Sequence, residues 1–550
     1  MHVGRAVIDH LAANGIDTIF GIPGKQTLPL NEAIGRRDDV EFVVARHETA
    51  VSHQAWGYAE TCGNPAATVV IPGPGDMNTM NGLKNALNDC TPLLHIAVET
   101  SPEIRGGDGI HETPPDTYDN VVRENYLVET PESTAAVVEE AAAVAQALPK
   151  GPVRVGIPKS FLPQDVALAG TGTHASEGVD GVPEDQIAAA AELLAEAERP
   201  ILLAGGGVRA AGAGEHLTAV AESAGAPIAT TYKGKGAVAD ANPLVAGTLS
   251  GSAPPELLDE LAESDLLLAV GTDFDAVATR AWDVEMSETI VHVTLDAGDI
   301  GTGYEPTVGI VADAGQALAA LEERLPAAEQ ERREQAVERA AAVRDGFEER
   351  IEPLLSDGPP ITSPRALRAV REAIPPETIV SVDAGGFRVW GLNTFDAAGP
   401  RRYVNPGSWA TMGTGLPAGI GAKCANPEED VVVLTGDGGL LMCVHELHTA
   451  VAADLPITVV VFNNSDYAII SEAAGREFDL KEGAYSWADA PLDFTTIADG
   501  MGLETHRAET PAEIRETLTA GRSSEQATLV EVPTDPTEPQ ASTWLSEKER

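Results

Sequence analysis

The stretch from residue 431 to 464, VVVLTGDGGLLMCVHELHTAVAADLPITVVVFNN, limits what this chain can fold into more than any other. It opens on the β-branched run 431–434, which has the length and composition of a buried strand. Gly436, Asp437, Gly438 and Gly439 then make a tight turn. Leu440, Val444, Leu447 and Val451 follow near helical spacing, and the helix they predict ends before Pro456. Residues 457–462 predict a second buried strand, closed by Asn463 and Asn464. Strand, helix and strand joined this way form a right-handed parallel unit. Asp437 and Asn464 then lie at the carboxyl ends of strands, the edge at which such sheets bind ligands.

A carboxylate and an amide oxygen at that edge are hard oxygen ligands. They suit Mg²⁺, which takes few protein ligands and completes its octahedron with phosphate oxygens. Gly438 and Gly439 offer backbone N–H groups at a helix N-terminus, which is an anion site. The stretch therefore reads as a site for a magnesium diphosphate. Gly-Asp-Gly alone is also a common turn; the strands and the Asn pair around it favour the ligand.

At 550 residues the chain exceeds a single core and predicts about three domains. Its formal net charge is −49, with the acid spread along the chain rather than blocked into a tail. Such a surface resembles proteins of salt-rich cytoplasm, where salt screens the self-repulsion. It argues against nucleic acid or an anionic membrane as a partner. An acidic face for a cationic partner is the alternative. Cys62, Cys90, Cys424 and Cys443 have neither close pairing nor metal-ligand spacing, so free thiols in a reducing compartment are expected. The opening MHVGRAVIDHLAANG is an amphipathic helix pattern with an internal Asp, not a signal peptide, and no apolar run is long enough to span a bilayer. The expected localisation is cytoplasmic.

Helix and strand patterns alternate in three blocks. The first spans residues 1–167, the second 183–325 and the third 359–532, joined by a Gly-, Thr- and Ser-rich linker at 168–181 and a charged helical connector at 326–350. This alternation predicts an α/β protein with three doubly wound parallel-sheet domains. Lys25 after Gly24 does not make a phosphate loop, because the first glycine is misplaced and Gln26 stands where Ser or Thr is needed. Gly205-Gly206-Gly207 departs from the dinucleotide fingerprint. Glu48, where a strand hands over to a helix, reads by itself as a first-turn glutamate favouring the helix dipole.

Gly436-Asp437-Gly438 followed at this interval by Asn463-Asn464 resembles the signature of thiamine-diphosphate enzymes. From its start to about residue 532 the chain resembles the acetolactate synthase and 2-oxo acid decarboxylase branch of that family. The resemblance implies a pyrimidine-binding first domain, a middle domain, and a third domain for diphosphate and Mg²⁺. In the first, Arg46-His47-Glu48 resembles the catalytic glutamate segment, and Gly73-Pro74-Gly75 with Asn78 its companion loop. That glutamate hydrogen-bonds the aminopyrimidine and lets the cofactor deprotonate its own thiazolium carbon, which implies a raised Glu48 pKa. His47 is expected to serve packing and orientation. His111 stands where acetolactate synthases carry a glutamine near the substrate, and a histidine there can relay a proton; a solvent-exposed loop residue is the alternative.

In the third domain the resemblance assigns the diphosphate to backbone N–H groups of Gly385, Gly386, Gly438 and Gly439. Asp437, Asn464 and the main-chain carbonyl of Asp466 become the Mg²⁺ ligands. Ala410 offers its carbonyl and Met412 its N–H to the pyrimidine, while the Met412 side chain wedges between the cofactor rings. Read without the family, Met412 is an adaptable core filler. Tyr467, Ala468 and Ile469 are expected to cover the thiazolium. Glu472 is either a proton donor or a first-turn helix glutamate. The tail 533–550 is expected to be disordered or a lid.

The implied function is decarboxylation of a 2-oxo acid with carboligation, pyruvate to acetolactate, dependent on thiamine diphosphate and Mg²⁺. The alternatives are a simple decarboxylase releasing an aldehyde and a non-catalytic cofactor-binding relative. His111, Asp273 and the lack of a Trp-Gln pair soon after Glu472 depart from the synthase pattern. Asp273 stands where flavin-binding synthases carry an arginine, so the middle domain is expected to be a scaffold that lost its ligand, with bound FAD the alternative. The cofactor halves meet across a subunit interface in this family, which implies a homodimer or homotetramer.

Overall fold

Aliphatic and β-branched runs set the framework of the computed structural model, which describes residues 2–107, 111–114, 116–167, 181–481 and 483–545. Among the described residues the strands form three six-stranded sheets in which every pairing is parallel. The first contains β1 (Thr18–Gly21), β2 (Glu41–Val44), β3 (Ala66–Val70), β4 (Leu93–Glu99), β5 (Glu124–Leu127) and β6 (Val153–Pro158). The second contains β7 (Pro200–Ala204), β8 (Ile228–Thr231), β9 (Val245–Leu249), β10 (Leu266–Val270), β11 (Ile290–Thr294) and β12 (Val308–Val311). The third contains β13 (Ile379–Val382), β14 (Tyr403–Val404), β15 (Val431–Gly436), β16 (Thr458–Asn463), β17 (Glu504–Arg507) and β18 (Thr528–Pro533). Central strands such as β10 (LLLAV) are buried throughout, which is why they read as continuous apolar runs and not as alternation.

The first sheet runs β2-β1-β3-β4-β6-β5, and the third repeats that order as β14-β13-β15-β16-β18-β17. The middle sheet runs β12-β11-β10-β7-β8-β9. Each sheet has an internal place where the order reverses, between β1 and β3, between β10 and β7 and between β13 and β15, and ligands of such sheets bind at the carboxyl ends of the strands there. In the third sheet that place lies between β13 and β15, directly at Asp383 to Gly386 and at Asp437.

The first and third sheets share one core. The helix Glu48–Cys62 lies along the helix Gly415–Ala425, and the contact is backbone to backbone. A Cβ at Gly57 would fall 2.2 Å from the Ala418 carbonyl oxygen, and one at Gly421 1.9 Å from that of Gln54. Trp56, Leu416, Ile420 and Val433 belong to the same buried cluster, so these two domains are one packing unit.

Three expectations change. The single helix expected at 440–451 is broken into Asp437–Cys443, a 3₁₀ turn Val444–Glu446, and Leu447–Ala452. The break turns the fully buried Glu446 toward the first domain. The charged connector helix Gln330–Ile351 also packs: Ala336, Ala340, Val343, Phe347 and Ile351 form a buried stripe at three- and four-residue spacing. The tail is ordered as far as it is described, with a short helix Ala541–Trp544 and Leu545 buried. Residues 546–550, and the linker 168–181 apart from Gly181, lie outside the described residues. Among the described residues no helix is long and apolar enough to cross a membrane.

Candidate active site

The first half of the site forms where β2 hands over to the helix Glu48–Cys62. His47 caps that helix in extended conformation, its Nδ1 accepting from Thr49 N–H at 3.2 Å. This is the orienting role expected of it. Glu48 faces Asn78, whose Nδ2 donates to Glu48 Oε2 at 3.0 Å. Asn78 ends the short helix Pro74–Asn78, which follows Gly73 in left-handed conformation at φ 67°. A Cβ at Gly73 would sit 2.6 Å from His111 Cα, and one at Gly75 3.2 Å from Glu48 Oε1, so glycine at both lets the loop close on its neighbours. His111 is itself left-handed at φ 68°, and its buried Nδ1 has no hydrogen-bond partner among the described residues. The structure thus brings Glu48, Gly73, Asn78 and His111 to one edge of the first sheet.

A buried ionic cluster underlies this loop. Arg154 donates to Asp76 at 2.7 Å and to Glu99, and His95 bonds Asp76 at 2.8 Å. All four are at most 2 % exposed. Against the cost of burial, His95 and Arg154 hold the Asp76 carboxyl well below the usual carboxylate range. Breaking such a pair costs about 3–5 kcal/mol, because the remaining charge is stranded.

The second half forms at the carboxyl ends of β15 and β16. Asp437, 4 % exposed, accepts from Gly438 N–H at 2.8 Å and Ser465 N–H at 2.6 Å. Burial pushes its carboxyl up to about 6, opposed by those hydrogen bonds. Ser465 is left-handed at φ 57°, and the turn folds Asn464 Oδ1 onto Asp466 N–H at 3.1 Å. Asn463 braces the turn, its Oδ1 accepting from Ser465 N–H at 3.1 Å while its Nδ2 donates to Glu531 at 2.7 Å. Asp437 therefore lies against the turn that carries Asn464 and Asp466, and the three offer only hard oxygen donors, a set that fits Mg²⁺.

Glycine at 438 keeps this turn open. A Cβ there would fall 2.6 Å from the Tyr467 ring and 3.4 Å from Met412 Cε, so Gly438, Met412 and Tyr467 converge. Ala410, left-handed at φ 44°, begins the loop that presents Met412. Ile469 approaches Gly386 from the helix Ala468–Phe478, its Cγ1 3.4 Å from where a Cβ would sit. Gly385 caps the helix Gly386–Thr394. Glu472 lies in the second turn of the helix Ala468–Phe478, not the first, so it is not the first-turn glutamate expected; it is paired with Arg476 at 3.0 Å and accepts from Thr543 at 3.2 Å.

Two residues outside the expected set tie the halves down. Asp383, fully buried, accepts from Thr435 at 2.9 Å and from Gly413 and Thr414 N–H at 3.2 and 3.1 Å. It fastens the Met412 loop to the end of β13, and burial pushes its carboxyl up to about 6. Glu446 accepts from the N–H groups of Arg46 and His47 at 3.0 and 2.9 Å, gripping the segment that carries Glu48. Asp383 was signalled by its place after a buried strand. Glu446 carried no signal. Among the described residues no hydrogen bond or ion pair joins Glu48 itself to the Asp437 turn; the halves meet through neighbours, as where Asn81 bonds Thr411 at 3.1 Å.

Three family models match the chain. They are the thiamine pyrophosphate enzyme N-terminal TPP binding domain over residues 1–120, its central domain over 187–321 and its C-terminal TPP binding domain over 383–532. The probable acetolactate synthase large subunit of Methanocaldococcus jannaschii is 30% identical, over 98% of this chain and 93% of the relative. The probable 2-ketoarginine decarboxylase of Pseudomonas aeruginosa is 34% identical over 96% and 93%. The acetolactate synthase isozyme 1 large subunit of Escherichia coli is 30% identical over 91% and 88%. With three α/β domains in the matching order, this chain belongs to the thiamine pyrophosphate enzymes, in the group that contains the acetolactate synthase large subunits, and depends on thiamine diphosphate for its reaction.

Proposed function

We propose that the chain decarboxylates a 2-oxo acid and joins the product to a second carbonyl compound, as in the conversion of pyruvate to acetolactate. The observation that carries this reading is the pair of half-sites: Glu48 held by Asn78 at the carboxyl edge of the first sheet, and the oxygen donors of Asp437, Asn464 and Asp466 at that of the third. Bound thiamine diphosphate supplies the carbon nucleophile and the electron sink. The protein's part is to hold it. Asp437, Asn464 and the Asp466 carbonyl would take Mg²⁺, and N–H groups of Gly385, Gly386, Gly438 and Gly439 the diphosphate. The Met412 side chain would set the angle between the cofactor rings, with Ala410 and the Met412 N–H fixing the pyrimidine. Glu48, its Oε2 tethered, keeps Oε1 to hold a proton. His111, whose Nδ1 has no partner among the described residues, would move one at the substrate. Tyr467, Ala468 and Ile469 would exclude water over the reacting carbon.

We further propose that two copies complete each site, as a homodimer or a pair of dimers. Apolar side chains stand exposed around both halves: Met77 and Ile104 near the first, Trp409, Met442, Ile470 and Phe478 near the second, the last 73 % exposed. Clusters of this kind mark interaction surfaces.

No flavin is assigned. The cavity of about 540 Å³ at the switch point of the middle sheet is lined by Asp273, Asp275, Asp296, Asp299 and Asp313. Lys233, which also lines it, is already bonded to Glu60 and Asp89, and Gly207 N–H is spent on the Gly271 carbonyl. That lining opposes the diphosphate of a flavin dinucleotide.

A second reading, decarboxylation without carboligation, is favoured by the 34% identity with the 2-ketoarginine decarboxylase. The deciding experiment follows CO₂ and acetolactate together from pyruvate, with thiamine diphosphate, Mg²⁺ and high potassium chloride, and repeats it with 2-ketoarginine. Both products rising in step is expected. CO₂ from 2-ketoarginine alone would replace the proposal by the second reading, and no turnover of either would sink both.

A further inference from the structure

The helix Pro74–Asn78 is little more than one turn, and Gly75 and Asp76 are its only buried residues. A helix this short does not hold itself and takes its order from packing. Gly75 has no side chain to pack, so the anchor is the Asp76 carboxyl. Its Oδ1 accepts from His95 Nε2 at 2.8 Å and its Oδ2 from Arg154 Nη2 at 2.7 Å, which fastens the turn to β4 and β6.

The donors are themselves fixed. Thr68 Oγ1 lies 2.6 Å from His95 Nδ1, and burial holds the ring below its ordinary pKa, which assigns the ring hydrogen to Nε2. Arg154 is braced by Glu99, by Asn125 Oδ1 at 3.2 Å and by the Tyr118 ring, whose centroid is 4.7 Å from its Cζ. The Tyr118 hydroxyl donates to the Asp76 carbonyl. Two residues further on, the same turn presents Asn78. Its Nδ2 donates to Glu48, and its carbonyl accepts from the Thr49 hydroxyl at 3.0 Å. Charged donors on a carboxylate fix direction as well as distance, which an apolar anchor does not.

We infer that Asp76, held by Arg154 and His95, is a positioning residue that sets the Asn78 donor against Glu48. It acts through Asn78 and not on the reacting atoms. The inference rests on the proposed role of Glu48, and its test separates the two.

Two variants remove the anchor. One is Asp76→Asn. The other combines Asp76→Ala, Glu99→Gln and Arg154→Met; it strands no charge, leaves His95 paired with Thr68 and Thr79, and is expected to keep the wild-type thermal midpoint. In cofactor-free protein, amide exchange at Met77 and Thr79 is expected to quicken by about tenfold, the worth of one hydrogen bond to a charged group. With thiamine diphosphate and Mg²⁺ bound, exchange of the thiazolium C2 hydrogen into D₂O needs no substrate. It is expected to slow by about 10²-fold, the cost of a misplacement of about 1 Å. In an Asn78→Ala background neither variant is expected to slow it further. Unchanged amide exchange, or C2 exchange at the wild-type rate, in the Asp76 variants would overturn the inference and leave the role of Glu48 intact. Slowing that adds to that of Asn78→Ala, or that tracks a fallen midpoint, would reduce Asp76 to general packing and also overturn it. C2 exchange at the wild-type rate in Glu48→Gln would overturn the role of Glu48 and the inference with it.

Discussion

Glu48 illustrates how little a single residue says before its neighbours are known. Alone it is a first-turn glutamate; with Asn78 on Oε2 and Gly75 beside Oε1 it is a carboxyl held for one task. Glu48→Gln keeps the shape and removes the titratable group. Turnover is expected to fall by about 10²–10⁴, the usual worth of a placed acid or base, while the thiamine diphosphate Kd from calorimetry stays within a few-fold of wild type. Unchanged turnover would remove Glu48 from the mechanism. Arg154 and Glu446 mark the limit of reading at this scale. Arg154 sits in an otherwise apolar strand, and Glu446 grips Arg46 from 400 residues away, so their roles exist only through partners that chain order does not reveal.

At the scale of elements, strands and turns were legible because buried parallel strands must be apolar and the turns after them need glycine. The fate of the C-terminal tail was not, since a polar, Pro-containing stretch gains its order from anchors elsewhere. One of those anchors, Glu538, accepts from the Ser363 hydroxyl at 2.6 Å and titrates. Burial, with Asp535 nearby, pushes the Glu538 carboxyl up to about 7. A carboxyl raised in the folded state favours its protonated form. The stability it adds is complete below the ordinary carboxylate range and is lost as pH rises through about 7. Amide exchange at Trp544 and Leu545, corrected for intrinsic chemistry, is therefore expected to quicken across this range. Glu538→Gln is expected to flatten the dependence. An identical profile in the two proteins would show that the segment is held by its other contacts.

For the whole molecule, a net charge of −49 and split half-sites make the same demand. Subunits carrying that charge repel one another until salt screens them, the screening length being about 10 Å at 0.1 M. Sedimentation in about 2 M potassium chloride is expected to give a dimer or tetramer, and in about 0.1 M salt a shift toward monomer with parallel loss of turnover. A fully active monomer at either concentration would refute the shared site. The sequence by itself determined the three α/β domains, the oxygen-bearing side chains Asp437 and Asn464 at strand ends, and the glycines around them, because strand burial and turn conformation act within a few residues. Only the tertiary structure decided that the first and third sheets share one core, that Asp383 and Glu446 brace the two half-sites, and that Arg154 and His95 fasten the turn carrying Asn78. Those facts are contacts between distant parts of the chain, fixed by which surfaces pack together and not by any local preference.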